Sequence, residues 1–314
     1  MWFKQVQVFQ LNSSTHFSHP HLVKNLGLLA FKPCLPSMED SIGWVSPIDN
    51  DEADAPLFRS MNNYIMLCLQ IEEKILPATV IRHELNKKVK KITLEENRKI
   101  RHKEKLSLKD ELKITLLPRA FTKFTKVYAY IDTKNHRVIL GTISKKRTEQ
   151  FINLFKKSVT ESISPIEIVK ISPIITHWIK NKDHLPDFSI EKKGMLQDPN
   201  QQNRVIRCQH QDLFSNSILS LIKDGCEVKQ LAMNWQDRVN FVLSDDFHLK
   251  NISFEDEIKQ QSLEMEAETK EQQFDADFLI MTETISHVLN DLLDMFMSKK
   301  NNSSIILHSA IEMA

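Results

Sequence analysis

The chain has 314 residues, 41% hydrophobic and 26% charged, with a formal net charge of +1. This composition excludes a disordered chain, and the length suits two or three lobes better than one. Its five glycines exclude more, because the nearest two, Gly27 and Gly43, stand sixteen positions apart. A phosphate-cradling loop, a dinucleotide fingerprint or a GxSxG elbow needs two or three glycines within about six residues, so an ATPase, a GTPase, a Rossmann oxidoreductase and an ordinary esterase are set aside.

In chain order, "WFKQVQVFQL" alternates with period two and predicts a strand. It has no signal-peptide core, and no apolar run approaches the roughly 18 to 20 residues of a membrane span, so a cytosolic protein is expected. His16, His19 and His21 in "HFSHPH" read as a loop beside Pro20 and not as a metal site. "NNYIMLCLQI" predicts a second, more buried strand. A helix then opens near Pro77 and carries Val80, Ile81, Leu85, Val89 and Ile92 at three- and four-residue spacing. His83 in "HELNK" lacks the second histidine of HExxH, so no metal is expected there. A second helix is expected to open at "SLKD", capped by Ser107, and to run until Pro118 stops it. Two such helices, each about 22 Å long at the usual rise, make a projecting arm.

"KVYAYIDTKNHRVILGTI" predicts a β-hairpin around "DTKN", followed by the amphipathic helix "RTEQFINLFKKSV". Residues 160–204 read as a lobe connection holding one short helix, "SPIITHWIKN". Beyond them come a strand "NRVIRCQHQDL", a helix "SNSILSLIKDG", strands "VKQLAMNW", "RVNFVLS" and "HLKNISF" with a turn at Asp245 and Asp246, and closing helices. Asp275 and Asp277 in "FDADF" read as an amino-terminal cap, since residues two apart do not share a helix face. Cys34, Cys68, Cys208 and Cys226 show no CxxC spacing and read as inert thiols. Neither a metal nor a cofactor is expected.

The charge is uneven. From Arg82 to Lys126 fifteen Lys and Arg face six carboxylates, a balance of +9, while from Glu255 to Asp294 twelve carboxylates face two lysines, a balance of −10. Such a dipole points to a polyanionic partner for the basic part.

Several motifs in one order carry a family resemblance: "WFK", "AFKPC", "GWVSP", "EEKILP", "LKDELKITLLPRAFTKF", "YIDT", "LAMNWQDRVNFVLSDDFHLKNISFEDEI" and "FDADFLIMT". Together they resemble the recombination-associated RdgC family of proteobacteria, from Met1 to about residue 298. The resemblance implies an α+β, crescent-shaped, multi-lobed monomer with mixed or antiparallel sheets and a projecting helical arm. Two monomers would pair through both ends into a ring-shaped homodimer. The ring would bind double-stranded DNA without sequence preference, in the cytoplasm and at the nucleoid, and antagonise RecA-dependent recombination.

The expected division is a central lobe of residues 1–76 with 127–165, a basic arm over 77–126, a second lobe over 166–298 and a flexible tail over 299–314. By motif match, Phe121 of "PRAF" would sit at the dimer interface and Arg119 would face the channel, while Phe124 is expected to fill the arm's own core. Further candidate DNA contacts are Lys103, Lys105, Lys109, Lys123 and Lys126 on the basic part, and His210 and Gln211 on the second lobe. Relatives tend to carry lysines before "QDL", where this chain has Gln209 and His210, and a histidine is only partly cationic at neutral pH. Two other classes stay open: a metal-dependent nuclease, which would use acids to hold two Mg²⁺, and a module that contacts RecA directly.

Overall fold

The computed structural model describes residues 1–12, 19–48, 55–159, 162–168, 170–201, 203–265 and 267–311, of which 19–21 and 297–311 are described as backbone only. The amino-terminal alternation forms β1 (Gln7–Leu11), and after α1 (His19–Leu28) the chain lays down β2 (Asp40–Val45), β3 (Phe58–Met61) and β4 (Tyr64–Ile75). Most of β4 is buried on both faces, which is why its sequence is a nearly continuous apolar run. Two helices, α2 (Ala78–Glu96) and α3 (His102–Leu116), leave the sheet. The chain returns through a 3-10 turn over Leu117–Arg119 into β5 (Phe121–Asp132), then β6 (Arg137–Leu140), α4 (Lys145–Ser158) and β7 (Ile163–Pro165).

These strands make a seven-stranded antiparallel sheet ordered β2-β4-β5-β6-β1-β7, with β3 against β4. Period-two geometry sorts its side chains. Phe9, Leu67, Leu69, Ile71, Val127 and Ile131 go to one face and cluster with Leu22 and Leu26 of α1 and Phe151 and Phe155 of α4. Val8, Tyr64, Met66, Tyr130 and Ile139 go to the other.

The remaining elements are α5 (Ile171–Asn181), β8 (Phe188–Gln197), β9 (Val205–Gln209), α6 (Asn216–Lys223), β10 (Glu227–Trp235), β11 (Val239–Ser244), β12 (Leu249–Phe254), α7 (Asp256–Leu263) and α8 (Lys270–Ile311). The second sheet is antiparallel and ordered β12-β11-β10-β8-β9. Its inner face, including Leu231, Met233, Phe241 and Leu243, shares one cluster with Trp178 of α5, Ile218 of α6 and Phe278, Met281, Leu292 and Phe296 of α8. That cluster is continuous with the Tyr64 and Tyr130 face of the first sheet, so α8 belongs to both cores. Polar contacts tie the same joint. Val6 and Leu249 exchange backbone hydrogen bonds of 2.9 and 3.1 Å, Arg59 donates to Asp275 at 2.8 Å, and Ser286 donates to Asp132 at 3.1 Å.

Five readings of the sequence are corrected. Residues 160–204 are no mere connection, for they hold β7, α5 and β8, a strand paired with both β9 and β10. α3 opens at His102, so Ser107 and Asp110 are helix interior; Lys and Glu are good helix formers, and Arg98 bonds Glu104 across the helix entry at 2.7 and 2.8 Å. Asp275 and Asp277 do not cap α8, which opens at Lys270. They reach different partners: Asp275 bonds Arg59, whereas Asp277 accepts from Ser262 and the amino group of Met1. The backbone of His19–His21 begins α1 and is not a loop, while His16 lies outside the described residues. Phe124 is 57% exposed and fills no core. The Asp245–Asp246 turn is found between β11 and β12, where Phe247 N–H donates to Ser244 C=O at 3.0 Å. The backbone of 299–311 continues α8.

Candidate nucleic-acid interface

The arm stands on a ribbon. β4 and β5 pair from Tyr64↔Asp132 out to Ile75↔Phe121. β5 is buried from Ala129 inward, half-buried around Lys126 and exposed at its start. The six residues Phe121–Lys126 therefore carry the ribbon about 20 Å beyond Val127 at strand rise. α2 and α3 are inserted at its far end.

Phe121 lies directly across from Ile75, and both are exposed, Phe121 at 85% and Ile75 at 46%. They form an apolar cross-strand pair at the root of the helical hairpin. Strand parity puts Lys123 on the same face as Phe121 and puts Phe124 and Lys126 on the opposite one. Arg119 is exposed at the end of the 3-10 turn that holds Pro118.

Lys123 is in register with Glu73, which already accepts from Lys146 and Arg147 of α4, both at 2.5 Å. The hydrogen bond from Arg147, then that from Lys146, holds the Glu73 carboxyl down at about 2. This cluster fastens the ribbon to α4 and so fixes the direction in which the arm leaves the body.

Within the arm, Lys88 of α2 bonds Glu111 of α3 at 2.8 Å, and Arg98 adds Glu96 at 2.6 Å to its fork on Glu104. Lys87 and Lys91 pair with Glu84 and Glu95 along α2. Four cations of the charge run are thus engaged in holding the arm. Lys103, Lys105 and Lys109 are exposed and form no ion pair among the described residues. Lys105 and Lys109 are four apart and share a row, whereas Lys103 lies about 160° round the helix from Lys105. The structure thus brings together Lys105 with Lys109, and Phe121 with Lys123, but not Lys103 with either pair.

His210 and Gln211 belong to a different unit. They follow β9 and are exposed, His210 with φ +55°. Gln211 N–H donates to Lys192 C=O at 3.2 Å, which ties this corner to β8. Sequence reasoning missed Ile75, which it assigned to no element, and Lys192 and Lys193, which lie in the stretch read as a connection. Strand parity against Phe121 could have found Ile75.

Among the described residues no helix is long and apolar enough to cross a membrane, and no group of three or more His, Cys, Asp or Glu is gathered as a metal site.

Two antiparallel sheets sharing one helix, with a basic helical hairpin carried on a ribbon, define a mixed α/β protein of the kind the sequence motifs suggested. A family model described as "Putative exonuclease, RdgC" matches residues 1–299; the chain belongs to the RdgC family. It is 36% identical over 297 residues, covering 94% of this chain and 97% of theirs, to proteins named "Recombination-associated protein RdgC" from Yersinia enterocolitica serotype O:8 / biotype 1B, Yersinia pestis (strain Pestoides F) and Yersinia pseudotuberculosis (strain YPIII).

Proposed function

We propose that the protein binds double-stranded DNA without sequence preference, closes on it as a homodimeric ring and, by occupying the duplex, limits RecA-dependent recombination in the bacterial cytoplasm and nucleoid. The observation that carries this reading is that Lys103, Lys105 and Lys109 of α3 are exposed and form no ion pair among the described residues, on an arm whose root exposes Arg119 and Phe121. Family membership and the relatives' printed name support the link to recombination. Lysines on a helix surface neutralise phosphates and read no base edges, so affinity comes from counterion release. A crescent closes as a two-fold ring only if each end offers a self-complementary patch. At the arm that patch is Phe121 with Ile75, an apolar pair flanked by the cations that would face the enclosed duplex.

The test is retention on circular against linearised duplex across a salt series. A ring holds circular DNA after a salt challenge and slides off linear DNA, while a simple surface binder leaves both at one rate. Phe121→Ala is expected to abolish the difference while leaving the fold intact, because the side chain is exposed. Normal retention by that variant sinks the interface role.

The family's printed description favours a second reading, an exonuclease. Degradation of linear duplex with Mg²⁺ that a chelator stops would establish it in place of passive occupancy.

A further inference from the structure

The outer face of the second sheet carries a groove of about 390 Å³ whose floor is Ala232 and Val242. Two irregularities in strand pairing make its walls. Between the pairs Leu231↔Gly194 and Met233↔Ile190, three residues of β8, Glu191, Lys192 and Lys193, stand opposite the single residue Ala232 of β10. Between Asn240↔Ser253 and Val242↔Lys250, two residues of β12, Asn251 and Ile252, stand opposite Phe241, and Asn251 adopts φ +51°. Bulges lift the chain off the sheet and re-aim side chains. Here they raise a wall on each side of a floor of small side chains. A smaller hollow beside it is lined by Lys193, Gln209 and Arg207.

The chemistry of the walls is specific. Lys192, Lys193 and Arg207 are exposed, form no ion pair among the described residues, and outnumber the one carboxylate, Glu191. The other polar lining is amide and imidazole, from Gln209, Asn240, Asn251 and His210. The one phenylalanine in the lining, Phe241, is 2% exposed and faces the core. Cations, amides and one imidazole, with no exposed Phe, Tyr or Trp among the lining residues, suit a sugar-phosphate backbone. They do not suit unpaired bases, which require aromatic platforms.

We infer that this groove is a second phosphate-backbone site for duplex DNA, on the opposite unit of the molecule from the arm, with Lys192, Lys193 and Arg207 as its cationic contacts. The inference rests on the proposed duplex binding and adds to it a surface, residues and a preference for duplex over single strand.

The experiment is a fluorescence-anisotropy titration of the full chain with a labelled mixed-sequence duplex, and with one of its strands, from about 50 to 200 mM salt. Lys192→Ala/Lys193→Ala is expected to flatten the slope of log K against log salt by about 0.9 for each phosphate no longer neutralised, and Lys192→Arg/Lys193→Arg to keep it. The wild type is expected to favour the duplex. A groove variant with the wild-type slope, while Lys105→Ala/Lys109→Ala flattens it, overturns the groove and leaves the arm standing. A groove variant that alters assembled mass but not DNA affinity makes this face a subunit contact and overturns the inference equally. Absence of salt-dependent binding by the wild type defeats the proposed function together with the groove.

Discussion

In the first sheet, β4 sends Leu67, Leu69 and Ile71 under α1 and α4 and sends Tyr64 and Met66 toward α8, so both faces are core. In the second, β10 sends Leu231 and Met233 inward, but its outward Ala232 floors an open groove. The sequences record the difference: β4 is a continuous apolar run, while β8 is interrupted by Glu191-Lys192-Lys193 where it bulges. A sheet covered on both faces has its side chains dictated by packing. A face left open is free to carry polar and cationic groups, and strand irregularities there cost the core nothing.

The coupling between the two sheets can be broken at α8. Phe278 is 1% exposed and touches Tyr130 of the first sheet within a cluster that includes the second sheet's core. Phe278→Ala is expected to destabilise the protein by about 3 to 5 kcal/mol, with both sheets melting in one transition followed by near-ultraviolet circular dichroism. Two separate transitions in the wild type would show that the sheets are independent units.

The contrast between arm and body is sharpened by salt. Lys105→Ala/Lys109→Ala should weaken duplex binding by roughly tenfold for each phosphate left without its cation near 0.1 M salt, with no change in melting temperature. An unchanged affinity, measured by anisotropy, would remove this row from the interface.

Glu73 tests how the arm is anchored. Its carboxyl is depressed to about 2 by Arg147 and Lys146, so its contribution is present above the ordinary carboxylate range and is lost as pH falls from about 4.5 through about 2. Glu73→Gln should cost about 1 kcal/mol at pH 7 for a partly exposed cluster and flatten the stability profile over that acid window. An identical acid limb in wild type and variant, by urea titration at several pH values, would assign the acid sensitivity elsewhere.

The smallest effect is expected at His210, which lines the groove. His210→Lys places a lysine's charge at this corner and should tighten duplex binding severalfold at pH 7.5. No tightening would mean that this corner faces away from the duplex.

Much of this was legible in the sequence, and the misses have physical causes. Pro118 ends α3 with a 3-10 turn, as its missing N–H requires, and "DTKN" makes the expected turn with Asn135 N–H bonded to Asp132 at 2.9 Å. β8 was invisible because its bulge breaks the alternation by which strands are recognised. The groove could not be read either, because Lys192 and Lys193 of β8 and Asn251 of β12 come to line one groove only across the folded sheet. Phe124 misled because a phenylalanine is ordinarily core, and only the ribbon's extension beyond Val127 leaves it in solvent. The arm's cations could be counted in the sequence, but which of them are bound to Glu84, Glu95, Glu104 and Glu111 could not.

The ribbon sets both the reach and the aim of the arm, and it does so in whole residues. Because side chains alternate, one residue added to each of β4 and β5 beyond Val127 would lengthen the reach by about 3.4 Å and turn Phe121 and Ile75 to the other side. Two residues in each would add about 7 Å and keep the side. Under the proposed ring, a relative that encloses a wider space through the proposed Phe121 and Ile75 contact should therefore differ here by an even number of residues per strand, and an odd number should accompany a contact surface moved to the opposite face.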